Sequence, residues 1–260
     1  MNQIVFRLNS GFGNRLCNLM NMFYIHEKLP NTLIYIDWIV NHHCNIMIED
    51  IINLKPHDFI LSYDKHYNKT SSNISSQIWA NTSANNKTKW DNIDEWKKHK
   101  TIVSVSFHLY SFVTSEYCRH TFNNVILFTD TINNYVSNKI TKYGCGNKII
   151  HFRGGDLIKI LSENESEDKV NNIIKKIENI KKNVNGAILQ EYNEFIVNRN
   201  HDDMLDSVSD LIYLSKYNTI LGYCPYSHFS SWLFLLSSSF IDDQHTYPIF
   251  NYTVIDIILL

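Results

Sequence analysis

This sequence has no cysteine pair at metal-binding spacing. Its five, Cys17, Cys44, Cys118, Cys145 and Cys224, are odd in number, far apart and never in a C-x-x-C arrangement. The pattern fits neither a disulfide framework nor a zinc site, and reduced thiols inside a cell are its simplest reading. A large excess of charge is missing too: 24 Lys and Arg face 26 Asp and Glu, a net charge of −2. A broad basic field for nucleic acid is thereby excluded, while a local basic pocket is not. Long apolar runs are also absent. The most apolar window, Trp232–Leu236, is far too short to span a bilayer. The opening residues, MNQIVFRL, lack the charged start and apolar core of a signal peptide. The expectation is a cytoplasmic protein with no nucleic-acid partner and no membrane span.

What is present is enough apolar material for a sizeable core: 44% of 260 residues are hydrophobic and 13% aromatic, sufficient for one large domain or two small ones. Val5–Leu8 reads as a strand, followed by the turn Asn9–Asn14. A helix should run from Arg15 to Lys28, because Leu16, Leu19, Met20 and Phe23 fall on one helical face. Pro30 closes it, and Leu33–Ile36 forms a second strand with Asp37 and Trp38 at its carboxyl end. A β-α-β unit of this kind implies a parallel sheet. Residues 64–93 are polar and read as a surface loop insertion.

Order resumes with the strand-like Ile102–Phe107 and a helix from an Asp130 N-cap to Tyr143, stopped by Gly144 and Gly146. The lobe boundary is placed there, giving a first lobe over 1–128 and a second over 129–260. The second holds a strand before His151, a charged helix over Ser166–Lys182 and a more apolar helix over Asp203–Lys216. A short strand, Thr219–Leu221, and a loop running into a helix at Pro225–Trp232 complete it.

Three segments carry chemistry. In KIIHFRGGDL (148–157), an apolar strand delivers His151, Arg153 and Asp156 onto a turn around Gly154 and Gly155. Ligands bind at such strand ends in α/β proteins, and a guanidinium there can donate to two phosphate oxygens at once. A surface turn with a structural Arg–Asp pair is the alternative. Gly11-Phe12-Gly13-Asn14 lies between a strand and a helix, where backbone can approach a ligand. It lacks the third glycine of a dinucleotide fingerprint, and a merely tight turn is the alternative. Ser227-His228-Phe229-Ser230 begins a helix, offering hydroxyls and N–H groups to an anion, or ordinary capping. Asp210 is an odd residue within the apolar helix. A carboxylate accepting from the N1–H and amine of guanine would explain it, and an exposed helix face would do so equally well.

In order, G-x-G-N-R, H-x-R-G-G-D and D-L-I-Y-L-S…P-Y-S-H-F-S-S-W resemble the GDP-fucose-dependent fucosyltransferases, the superfamily of rhizobial chitooligosaccharide, core α-1,6 and protein O-fucosyltransferases. Leu33–Asp50, LIYIDWIVNHHCNIMIED, is similar to that superfamily's second strand, with Trp38 and Cys44 in place. The resemblance implies an α/β protein of GT-B type: two Rossmann-like lobes with a cleft between them, the donor held by the second lobe and the acceptor by the first. It implies inverting transfer of fucose from GDP-fucose to a glycan or peptide hydroxyl, with no metal and no cofactor beyond the donor substrate. No D-x-D stands at a strand end, since Asp202-Asp203 and Asp242-Asp243 lie in polar stretches.

Carried over by position, Arg153 would grip the β-phosphate, His151 would lie near the ribose and diphosphate, and Asp156 would brace the turn. Asp210 would read guanine, while Ser227, Phe229 and Ser230 would line the diphosphate and sugar pocket. Gly11, Gly13 and Asn14 would approach the donor from the first lobe. Asp37 is the best-placed carboxylate for a general base, against the plainer role of ending a strand. Two departures stand out. Gly154 replaces a second arginine of many members, and Asn183–Asp203 is short, without the usual strand ending in a Ser/Thr-Asp turn. A transferase of another GDP-deoxyhexose, or a catalytically silent nucleotide-sugar-binding relative, are the alternatives these departures leave.

Overall fold

The computed structural model describes residues 2–57, 59–61, 78–80, 92–104, 109–144, 148–152, 166–168, 171–172, 175, 188–191, 200–216, 219–221 and 228–236. By contact the chain divides into two units. One comprises Met1–Asn133 with Arg199–Leu205, the other Asn134–Asn198 with Asp206–Leu260.

The first unit is built on a five-stranded sheet. Its strands are β1 (Asn2–Leu8), β2 (Thr32–Trp38), β3 (Ile60–Leu61), β4 (Ile78–Ala80) and β5 (Thr101–Ser104), in the order β3-β2-β1-β5-β4. Every pairing is parallel. Ile4, Val5 and Phe6 are buried in succession, as expected of a central parallel strand covered on both faces. The first β-α-β unit is therefore as the sequence pattern requires. The region expected as a loop insertion over 64–93 is corrected in one respect: β4 lies within it and pairs with β5. A three-residue strand among polar neighbours leaves too little alternation to be seen in sequence.

Helix α1 (Phe12–Lys28) begins three residues earlier than expected, because Gly11 O accepts from both Asn14 N and Arg15 N, at 3.1 Å each. Gly13 and Asn14 thus belong to its first turn. Its burial is wider than one apolar face: besides Leu16, Leu19, Met20 and Phe23 it buries Arg15, Asn18 and Asn21. Asn21 Oδ1 accepts from Tyr110 N at 3.0 Å, and Tyr110 packs edge-on against Trp96 of α2 (Ile93–Lys97). Helix α3 (Ser115–His120) is capped by Thr114, whose side chain accepts from Tyr117 N.

Helix α4 (Asp130–Tyr143) has the expected extent, but Thr129 rather than Asp130 precedes its first turn, accepting from Ile132 N. Gly144, at φ 76°, ends it in the left-handed region. Helix α5 (His201–Leu214) starts ahead of the expected Asp203. Asn200 Oδ1 accepts from Asp203 N while Asp203 Oδ2 accepts from Asn200 N, a reciprocal cap that gives Asp203 a structural task.

The second unit carries a parallel sheet of β6 (Lys148–Phe152), β7 (Ile188–Glu191) and β8 (Thr219–Leu221), in the order β7-β6-β8. Strand β7 falls inside the 183–203 segment from which the sequence reading omitted one. Helix α6 (His228–Leu236) buries Trp232, Leu233, Leu235 and Leu236. The charged helix expected over 166–182 lies almost wholly outside the described residues.

Candidate functional site

Parallel strands end at one edge, so the turn after β1 and the loop after β2 emerge side by side. In the first unit the chain order reverses at β1, with β2 on one side and β5 on the other. The carboxyl ends of strands at such a reversal are where open α/β sheets bind ligands.

Arg15 organises this edge. The residue is fully buried. Its Nε donates to Ser10 O at 2.5 Å, its Nη2 to Ile39 O at 2.6 Å, and its guanidinium carbon lies 4.4 Å from the centre of the Trp38 ring. Burial pushes the guanidinium below its ordinary pKa, with the Cys44 thiol acting the other way. Asn41 completes the brace. Its Oδ1 accepts from His43 N at 3.0 Å, Cys44 N at 3.1 Å and Arg15 Nη2 at 3.5 Å, while its Nδ2 donates to Asn9 O at 2.6 Å. Trp38 Nε1 donates to Ile46 O at 2.7 Å. The loop after β2 is thereby fastened to the turn after β1.

Three buried polar atoms of this turn have no hydrogen-bond partner among the described residues: Ser10 Oγ, Asn14 Oδ1 and Arg15 Nη1. An unmet buried polar group costs about 1–3 kcal/mol, and a cluster of them calls for an explanation such as a ligand. Gly11 lies beside them in ordinary extended backbone, at φ −64° and ψ 160°. A β-carbon there would meet only His43 O, at 4.0 Å. Neither strain nor crowding requires a glycine, so the missing side chain chiefly leaves the backbone approachable.

Asp37 stands within β2, directly opposite Arg7 of β1, and its Oδ2 accepts from Arg7 Nε at 2.7 Å. This pair gives Asp37 a structural partner. On the same edge His42 and His43 are exposed, with ring centres 3.8 Å apart. Partial burial, the His42 ring and the Arg15 guanidinium lower the pKa of His43 below the ordinary histidine value.

In the second unit, β6 is the central strand and carries His151 opposite Gln190 of β7. Its carboxyl end, Phe152, leads directly into Arg153. Arg153, Gly154, Gly155, Asp156 and Ser227 lie outside the described residues. Phe229, half-buried, and Ser230 fall in the first turn of α6. Asp210 is buried in α5 rather than on an exposed face, and its Oδ1 accepts from Lys139 Nζ of α4 at 2.6 Å. The same ammonium donates to Asp206 Oδ1 at 2.6 Å.

The sequence reading missed Arg15, the His42-His43 pair and Lys139. Arg15 had a usable signal, since it lies one turn before Leu19 on a stripe that is otherwise apolar. Lys139 had none, because its partners are more than 60 residues away. Among the described residues, no group of three or more His, Cys, Asp or Glu is placed to hold a metal ion. No described helix is long and apolar enough to cross a membrane.

No protein-family model matches the chain, and no curated protein matches it in sequence. Solved structures do. The chain is similar to the fucosyltransferase NodZ from Bradyrhizobium, at 15% identity and TM-score 0.58, covering 91% of this chain and 94% of that one. It is also similar to a mutant of Arabidopsis thaliana FUT1 in complex with GDP, at 11% identity and TM-score 0.55, covering 90% of this chain and 68% of that one. POFUT1 in complex with GDP matches at 10% identity and TM-score 0.50, over 93% and 96%. NodZ has also been solved as an α-1,6-fucosyltransferase soaked with GDP-fucose. The chain therefore shares the fold of these fucosyltransferases.

Proposed function

We propose that this protein is a GT-B-like glycosyltransferase that moves fucose from GDP-fucose to a glycan or peptide hydroxyl, with inversion and without a metal. The observation that carries the reading is the shared fold, spanning nine-tenths of the chain, with proteins solved holding GDP or GDP-fucose. The ordered sequence motifs support it. So do the position of G-x-G-N-R directly after the central strand β1 and that of His151 on the central strand β6.

In this reading the acceptor oxygen attacks the anomeric carbon from the face opposite the diphosphate. The carbon–oxygen bond to the diphosphate breaks, and its electron pair leaves with GDP. Charge growing on the β-phosphate is met by Arg153, by the Ser227 and Ser230 hydroxyls and by N–H groups at the start of α6. His151 lies beside the ribose and diphosphate, Asp156 braces the turn and Phe229 lines the sugar pocket. Gly11, Gly13 and Asn14 approach the donor from the first unit. Asp210, whose Oδ1 accepts from Lys139, reads guanine. The silent-relative alternative draws its support from the shortened 183–203 segment; β7 lies within it, followed in sequence by Tyr192-Asn193 rather than a Ser/Thr-Asp pair.

Calorimetry of the full chain with GDP, GDP-fucose, UDP and ADP tests the reading. GDP and GDP-fucose should bind at least ten times more tightly than ADP, since adenine lacks the N1–H and amine pair that a carboxylate can accept from. Equal affinity for GDP and ADP would remove the guanine assignment, and no binding of any of them would remove the function.

A further inference from the structure

The transfer reaction requires the acceptor hydroxyl to lose a proton, and the edge of the first unit holds a group suited to take it. An amide such as Asn14 has no basic site at neutral pH. Asp37 is engaged by Arg7 across the strand pair. Among the described residues, the histidines on this edge are His42 and His43, on the four-residue loop closed by the bridge between Asn41 and Cys44.

We propose that His43 is the proton acceptor for the incoming hydroxyl. Its backbone is held in place, with N–H given to Asn41 Oδ1 and the carbonyl lying against Gly11, next to the turn that carries Ser10 Oγ, Asn14 Oδ1 and Arg15 Nη1. Those three buried atoms leave the turn beside the His43 backbone with a hydroxyl, an amide oxygen and a fixed cationic donor unmatched among the described residues. The imidazole itself is exposed to whatever approaches the edge. The charged and titratable groups acting on it are His42 and Arg15. Both disfavour its cationic form, so at neutral pH the ring is neutral and able to receive a proton. In the balanced step the acceptor O–H proton passes to a His43 nitrogen as the new bond to the anomeric carbon forms. GDP departs with the electron pair of the broken bond, and the imidazolium then yields its proton to water.

This inference rests on the fucosyl-transfer reading, and the experiment separates the two. GDP release from GDP-fucose, with water as the accepting nucleophile, is measured from pH 4.5 to 8.5 for the native protein, His43→Gln and His42→Gln, alongside GDP affinity by calorimetry. Native turnover should fall as pH drops below the ordinary histidine range. His43→Gln should lose about a hundredfold in rate together with that acid limb, while its GDP affinity stays within twofold. His42→Gln should keep the plateau rate, with its acid limb retained but moved to slightly higher pH, because one group that disfavours the His43 cation is gone. A His43→Gln protein that retains rate and limb overturns the inference, as does loss confined to His42→Gln. A native protein that binds GDP-fucose but releases no GDP overturns it and leaves nucleotide-sugar binding standing. One that binds neither GDP nor GDP-fucose removes both.

Discussion

Replacing Lys139 with methionine keeps most of the length and volume of the side chain while deleting its charge. Asp210 is then left with a side chain 5% exposed and without the ammonium that now lies 2.6 Å from its Oδ1. Breaking a buried pair by removing one partner costs about 3–5 kcal/mol, because the remaining charge stays uncompensated. Asp206, the other partner of Lys139, is 56% exposed and stays solvated, so its share is at most about 1 kcal/mol. The expected loss therefore comes almost entirely from Asp210. Hydrogen exchange of the amides between Val208 and Leu214 reads it locally, without requiring the whole chain to unfold in one step. Exchange should quicken by roughly a hundredfold to a few thousandfold, at tenfold per 1.4 kcal/mol. Adding Asp210→Asn should recover much of the loss, since a neutral amide tolerates the site without a counter-charge. Burial pulls the Lys139 pKa down, but the carboxylates of Asp210 and Asp206 outweigh it and leave it raised. A raised value means the pair contributes fully below the ordinary lysine pKa and is lost only as pH climbs through the folded one. The effect of Lys139→Met should thus be flat from pH 6 to 9. Exchange within twofold of the native protein, or a double variant worse than the single, would refute this account of α5.

Arg153→Lys and Arg153→Ala should each weaken GDP binding, by about ten- to a hundredfold for the alanine, the worth of a charge-assisted bidentate contact. Calorimetry showing unchanged affinity in both would remove Arg153 from the donor site. Under the proposed mechanism, donor turnover in EDTA should match that in magnesium or manganese, since Arg153 and the start of α6 would take the leaving charge. Strict metal dependence in the same assay would assign a different transferase class.

The first β-α-β unit was readable from sequence because it is local. Leu16, Leu19, Met20 and Phe23 fix one helical face, and strands bounded by turns flank it. Strand β8 has its expected limits for the same reason. What escaped is non-local or too short. Strand β4 has three residues, and its place in the sheet depends on β5, more than twenty positions later. Helix starts shifted where capping was reciprocal, as between Asn200 and Asp203, or where Gly11 admitted the helix early. The candidate site divides similarly. Motif order offered Asn14, Asp210 and Phe229 as candidates, but sequence distinguished neither the Arg7 partner of Asp37 nor the Lys139 partner of Asp210. Both are pairings between elements, and side-chain identity alone carries no record of who stands opposite.

The bracing of the strand edge by Arg15 and Asn41 separates frame from variable surface within a single loop. Trp38, Asn41, Cys44 and Ile46 are committed to the frame by burial or hydrogen bonds. His42, His43, Asn45 and Met47, interleaved with them, point into solvent. Exchanging the solvent-facing four therefore alters what this edge recognises without loosening its anchorage, whereas exchanging any of the other four alters both at once. A library confined to positions 42, 45 and 47 would vary the surface of this edge on an unchanged scaffold, with Arg15 serving as its keystone.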